Sequence, residues 1–308
     1  MIAEPASTRT LSCLMIRRHV PQMLFVLGVF FFALGVFAPD AMAEQRTNSI
    51  YWTPENATEG GRKVDQILDF IFWLTLGVFV LTQSVYIYYL IRYRRKKGVK
   101  AHYSHGNNRL EMVWTLAPTL IFLSLAIWGD RVWFELTDSE VPKDAITVEV
   151  VGYQFAWDFR YSGADGRLDE TALEKISTAN KYGLTRRDPD MTDDFGSAEL
   201  VIPVGRPVHI VLRSRDVIHS FYVPEFRLYQ DAVPGRTIDW IWFKTIRKGS
   251  FQLACSQLCG AGHYNMKAPI SVVSQDDYDR WYAAKVKARG EQIAALQAER
   301  ETKAIALK

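Results

Sequence analysis

The chain has 308 residues, a formal net charge of +3 and a hydrophobic share of 48%. That length allows one or two folded domains with appendages. The charge is too small, and no basic stripe is interleaved with aromatics in the soluble part that follows the apolar runs, so nucleic-acid binding is excluded as a function class.

The first apolar run, "PQMLFVLGVFFFALGVFAPDAMA", follows Arg17, Arg18 and His19 and closes on the small-x-small pattern Ala41-Met42-Ala43. It reads as a secretory signal peptide over residues 1–43, cut after Ala43, and Cys13 leaves with it. Residues 44–63 then form a short extracytoplasmic segment. Two further runs lie at about 67–91 and 112–133. Each is long enough, at 1.5 Å per residue, to cross a hydrocarbon core of about 30 Å. The cationic stretch "RYRRKKGVK" between them favours a cytoplasmic position for the loop. Residues 64–135 are therefore expected to be a transmembrane hairpin. Both of its outer ends, and all that follows, face a periplasm-like space, and membrane lipid is one partner. His102 and His105 fall in the cytoplasmic loop.

From Ala145 the pattern turns to short strands: "ITVEVVGYQFAWDFRY", "ELVIPVG", "VHIVLRS", "IDWIWF", "FQLA" and "PISVV", separated by Gly, Pro and Asp. Such spacing predicts a membrane-anchored all-β domain, a Greek-key sandwich or barrel, over residues 136–275. Residues 163–198 are polar and Asp-rich and read as a loop inserted on one rim. Residues 276–308 form a charged helical tail with Trp281, Val286, Ile293 and Leu296 on a loose apolar stripe, expected to be a solvated helix packing on a neighbour.

Two of the three cysteines stand in "CSQLCGAGHYNM", residues 255–266, with His263 and Met266 beside them. In an oxidising compartment two thiols can close a disulfide. The alternative is a metal site. Thiolate and thioether donors select copper, zinc or iron–sulfur. Zinc would take Cys and His and leave Met266 idle. Copper uses all of them, and His219 in "DVIHSFYVPEF" supplies a second imidazole. Two thiols suit two copper ions bridged by both sulfurs, with Met266 and a backbone carbonyl as weak outer ligands. His209, on a predicted strand, is set aside as structural.

The segments "CSQLCGAGHYNM", "DVIHSFYVPEF" and "QDAVPGR", with "HGNNRLEMVWTLAP" ahead of the second span, resemble cytochrome c oxidase subunit II from about residue 60 to 275. The resemblance implies a cupredoxin fold on a two-helix hairpin in a bacterial inner membrane, with both chain ends and the copper domain on the periplasmic side. It implies a binuclear copper centre (CuA) held by His219, Cys255, Cys259, His263, Met266 and the Gln257 carbonyl. It further implies electron transfer from cytochrome c to haem in subunit I, with subunit III as another partner, in a translocase that couples oxygen reduction to proton pumping. The haem belongs to the partner, since this chain has no CxxCH motif. Glu111 matches the mouth of a proton pathway. A nitric oxide reductase with the same copper domain is the alternative.

Two positions depart from the family pattern. Gln257 stands where a Glu usually also binds Mg²⁺ at the subunit I interface, and a neutral amide is a poorer ligand for that hard cation. Phe155 stands where a Trp usually receives electrons. Trp157, two residues on, is expected on the same strand face, so Phe155 and Trp157 are both electron-entry candidates. Asp158, Asp188, Asp190, Asp193 and Asp194 are candidates for steering a basic cytochrome c.

Overall fold

A computed structural model describes residues 53–306 except 101–102, 104, 138–139 and 178–179. The signal-peptide reading, Cys13 and His102 lie outside the described residues. The chain divides into two compact units, one built on residues 63–129 and one on residues 47–62 with 130–308.

The first unit is carried by α1 (Gly61–Arg92) and α2 (Asn108–Thr137). Both are apolar and long enough to span a membrane. They exceed the predicted runs because polar residues at each end continue the helices. Asn107 starts α2 by accepting the N–H groups of Arg109 and Leu110 on its side-chain oxygen at 3.1 and 3.2 Å. Hydroxyls inside the spans return their protons to the helix: Thr75 to Ile71 O, Thr119 to Thr115 O and Ser124 to Leu120 O, at 2.7–2.8 Å. These hydroxyl protons are thereby satisfied within the helix. Phe70 and Trp128 meet edge to face at 5.5 Å between the two helices.

The second unit is a sandwich of two five-stranded sheets. One sheet holds β1 (Ile146–Tyr153), β2 (Ala156–Tyr161), β3 (Phe195–Ser197), β5 (Pro207–Ser214) and β8 (Ile238–Lys244), in the order β3-β2-β1-β5-β8. The other holds β4 (Leu200–Pro203), β6 (His219–Val223), β7 (Leu228–Ala232), β9 (Gly249–Cys255) and β10 (Lys267–Val273), in the order β4-β10-β9-β6-β7. The chain changes sheets between β3 and β4, β4 and β5, β5 and β6, β7 and β8, and β8 and β9, so neither sheet forms from consecutive strands alone. Val148, Val150, Phe159, Val208, Ile210 and Leu212 face Phe221, Val223, Leu253 and Ile270 in one fully buried core. The alternation along β5 turns every second side chain inward. The segment before α1 is pinned to this unit, with Ala57 N donating to Glu225 O at 2.7 Å and Ile246 N to Ala57 O at 2.9 Å.

The inserted segment is a docked structure. Arg160 on β2 pairs with both Glu149 on β1 and Asp194 of the insertion, and Arg213 on β5 closes on the other oxygen of Glu149. All four side chains are buried. Burial pushes the Asp194 carboxyl up, against the hydrogen bonds and charge that hold it down. The Asp194 Oδ2 also accepts Asp169 N at 2.9 Å. The tail, α3 (Gln275–Ala306), differs from the sequence expectation: its first turns pack on the chain's own sandwich. Tyr278 is buried, and Trp281 meets Tyr161 and Phe195 at 5.1 and 5.8 Å. Farther along, Arg289 donates to Thr192 O and Asp190 O at 2.9 and 2.8 Å, and Arg300 pairs with Asp188.

These contacts bear on the steering reading. Asp188 and Asp190 face Arg300, Asp194 is buried with Arg160, Asp158 pairs with Lys181, and Asp193 accepts the Asp165 N–H. The carboxylates anchor the insertion; they do not form a free acidic face.

Candidate metal centre

Three strand ends and one turn converge at one end of the sandwich. His219 opens β6, Cys255 closes β9, and Met266 immediately precedes β10. β9 and β10 are antiparallel neighbours, and Cys255 N donates to Met266 O at 3.0 Å, so residues 256–266 form a closed loop above the hairpin. The pairing of Phe221 with Cys255 places β6 alongside and brings His219 to the base of that loop. His263 starts a single 3-10 turn within it.

The sulfurs of Cys255 and Cys259 lie 3.8 Å apart. That is well beyond the ~2.05 Å of a disulfide, and both cysteines are free. His219 Nδ1 is 3.9 Å from the Cys255 sulfur, and His263 Nδ1 is 3.6 Å from that of Cys259. The Met266 thioether sits 3.7 Å from Cys259 Sγ, and the Gln257 carbonyl 3.1 Å from Cys255 Sγ. His219, Cys255, Cys259 and Met266 are buried. All six donors expected from the sequence therefore come together, and the carbonyl role of Gln257 needs nothing from its side chain.

The donor set fits copper. Two sulfurs 3.8 Å apart can each lie at a thiolate–metal distance of ~2.3 Å from the same ion at a near-tetrahedral angle. This holds on either side of the line joining them. The imidazole nitrogens and the soft thioether extend the set on both sides, and among the described residues no carboxylate joins the cluster to favour a hard cation. Without metal, burial raises the Cys259 thiol to about 11, helped by its hydrogen bond with Cys255.

Outside the donors, Asp216 Oδ1 meets His219 Nε2 at 2.7 Å. Its other oxygen accepts the Gln154 N–H, also at 2.7 Å. Burial pushes the Asp216 carboxyl up, but the N–H groups of Gln154 and Val217 and the His219 ring together hold it below its ordinary value. The Gln154 side chain donates to Cys259 O at 2.6 Å. Neither residue was apparent from sequence alone. Asp216, three residues before a histidine, carries the signal of a carboxylate that orients an imidazole. Gln154 is 105 positions from its partner and carries none.

Phe155 and Trp157 do not share a face. Gln154 and Phe155 form the β1–β2 turn, which interrupts the strand on which the two rings would have been in phase. Phe155 is 39% exposed and lies against the Gly260–Gly262 backbone. Trp157 is 3% exposed, packed edge-on to His219 at 6.0 Å and Phe221 at 6.2 Å. A buried ring cannot take a surface contact. Glu111 lies in the first turn of α2, where its charge complements the helix dipole. His209 uses both ring nitrogens structurally, on Thr147 Oγ1 at 3.3 Å and Asp239 O at 2.5 Å.

A β-sandwich that places two thiols, two imidazoles and a thioether around one point at its end is a cupredoxin-type copper domain. Comparison with known proteins narrows the class. Residues 146–274 match the cytochrome c oxidase subunit II periplasmic domain, and residues 47–131 match the transmembrane domain of that subunit. The chain is 39% identical over 233 residues to an alternative cytochrome c oxidase subunit 2 of Bradyrhizobium diazoefficiens, covering 75% of this chain and 82% of that one. It is 29% identical over 275 residues to cytochrome c oxidase subunit 2 of Cereibacter sphaeroides, covering 81% and 88%. The crystal structure of the periplasmic domain of subunit II of cytochrome oxidase of Bradyrhizobium japonicum is 30% identical. It covers 48% of this chain and 99% of that one, with a TM-score of 0.36. The chain belongs to the cytochrome c oxidase subunit II family, whose members are membrane-bound components of an enzyme complex.

Proposed function

We propose that this chain accepts electrons from a cytochrome c at a binuclear copper centre and passes them to haem in subunit I of a terminal oxidase that reduces oxygen and pumps protons. The observation that carries this reading is the 3.8 Å pair of thiols, each faced by one imidazole Nδ1. His219, Cys255, Cys259, His263, Met266 and the Gln257 carbonyl would hold the copper, which when bound would supply one-electron chemistry.

The chain supplies the rest. Cys255 is fixed by the β6–β9 ladder, and Cys259 lies in the loop above it. Asp216 holds His219 Nε2, which leaves Nδ1 free to bind. Trp157 and Phe221 close the core behind His219 and exclude water. Phe155 is the exposed ring over the copper loop and is the surface contact for the donor. The cationic loop after α1 sets both chain ends and the sandwich on the periplasmic side of a bacterial inner membrane. Glu111 serves proton uptake from the cytoplasm. With an amide at 257, Mg²⁺ at the subunit I interface is bound weakly or not at all. Subunit III completes the complex.

The test is stopped-flow oxidation of reduced cytochrome c by the intact complex, with oxygen or nitric oxide as acceptor. Oxygen consumption lost in Cys255→Ser is the expected result. Turnover with nitric oxide alone would assign the chain to a nitric oxide reductase.

A further inference from the structure

The geometry points to Gln154 as a positioning residue of the metal centre, one that clamps the His219 segment and the Cys259 loop to a single turn. The inference rests on the copper reading above and deepens it.

Cys255 and His219 are already related by regular structure: Phe221 pairs with Cys255, and Ser256 N donates to Ser220 O at 3.3 Å. Cys259 and His263 lie beyond that ladder, in a loop whose own bonds are short-range, such as His263 N to Gly260 O at 3.1 Å. The loop needs an outside reference to set the sulfur–sulfur spacing. Gln154 provides it from the opposite sheet. Its side-chain N–H donates to Cys259 O at 2.6 Å, while its backbone N–H donates to Asp216 Oδ2 at 2.7 Å. Asp216 in turn holds His219 Nε2 and the Val217 N–H, each at 2.7 Å. One residue thus ties a histidine ligand on one side to a thiol ligand on the other.

The next residue tightens the same seam. Phe155 lies so close to the loop that a Cβ at Gly260 would sit 3.0 Å from its ring, and one at Gly262 2.5 Å. Gly260 also has a φ of +135°, which L side chains rarely adopt. The glycines of "CGAG" are therefore the imprint of the β1–β2 turn on the copper loop. The exposed ring above and the amide beside it belong to one rigid contact.

The test uses the full chain in detergent, loaded with copper. Gln154→Glu keeps the length of the side chain but aims an acceptor at the Cys259 carbonyl; Gln154→Ala removes the donor. Both keep the backbone N–H on Asp216. Readouts are the thiolate–copper absorption bands, the reduction potential and the rate of copper loss to a chelator, with thermal unfolding of the metal-free chain alongside. Loss of an outer partner of a metal ligand costs about 10–100-fold in metal affinity. Both variants should therefore lose copper about tenfold faster or more, with shifted bands and potential, while the metal-free chains melt as the parent does. Parent-like bands, potential and copper loss in both variants overturn the clamp alone. A parent chain that takes up copper without thiolate–copper bands overturns the copper reading and the clamp with it.

Discussion

Asp216 and His219 meet through Asp216 Oδ1 and His219 Nε2 at 2.7 Å, and the opposite ring nitrogen faces the Cys255 sulfur at 3.9 Å. The carboxylate fixes which nitrogen carries the proton and which is free to bind. Asp216→Ala should lower copper affinity by about 10–100-fold. Competition against a chelator of known affinity checks this, and an unchanged constant would remove Asp216 from the site.

Copper uptake should strengthen with pH. The ligand is the thiolate, and the Cys259 thiol of the metal-free fold sits at about 11. Displacing its proton becomes harder as pH falls, by about 1.4 kcal/mol, or tenfold in affinity, for each pH unit. Titrations between pH 6 and pH 8 should therefore show at least that slope; a flat profile contradicts it. The raised thiol also favours the metal-free fold below the ordinary thiol range. That contribution fades as pH climbs through about 11.

The buried ion network should matter far more than the exposed one. Glu149→Ala leaves Arg160 and Arg213 buried beside each other and should cost about 3–5 kcal/mol. Arg300→Ala breaks only solvent-exposed pairs, with Asp188 and Asp190, and should leave stability almost unchanged. Denaturant unfolding of the two variants checks the contrast, and equal losses would contradict it.

Trp281 ties the tail helix to Tyr161 and Phe195 of the sandwich. Trp281→Ala should cost about 3 kcal/mol, the low end for a large aromatic because the ring is only partly buried. Hydrogen exchange should quicken first along α3. Unaltered protection there would mean that the helix is held by its other contacts, such as Tyr282 on Ser162 O and Gly163 O and the arginines.

Glu111→Gln should slow turnover of the intact complex and leave the copper spectra as they are. Wild-type turnover would remove Glu111 from proton uptake.

The two spans and most strands are legible in the sequence because one physical pattern dominates each: a continuous apolar run, or alternation bounded by Gly and Pro. The copper loop is legible for another reason. All but one of its donors fall within twelve residues, and His219 stands apart next to a strand. What escaped detection depends on contacts distant in sequence. The β6 segment "HSFYV" is buried along almost its whole length and shows no alternation. The turn at Gln154–Phe155 contains no Gly, Pro, Asn or Asp, so "GYQFAWDF" reads as one strand and puts Phe155 and Trp157 in phase. The docking of α3 and the insertion depends on Arg160, Arg289 and Arg300 finding carboxylates and carbonyls far along the chain. Charge runs do not reveal such partners. The same blindness made Asp188 to Asp194 look like a steering patch.

Electron paramagnetic resonance of the oxidised, copper-loaded chain, with copper counted per protein, tests the central claim most directly. Thiols 3.8 Å apart with one imidazole on each predict two copper ions per chain and a hyperfine pattern from one unpaired electron shared equally by two copper nuclei. One copper per chain with the pattern of a single nucleus, or zinc retained in its place, would contradict the account.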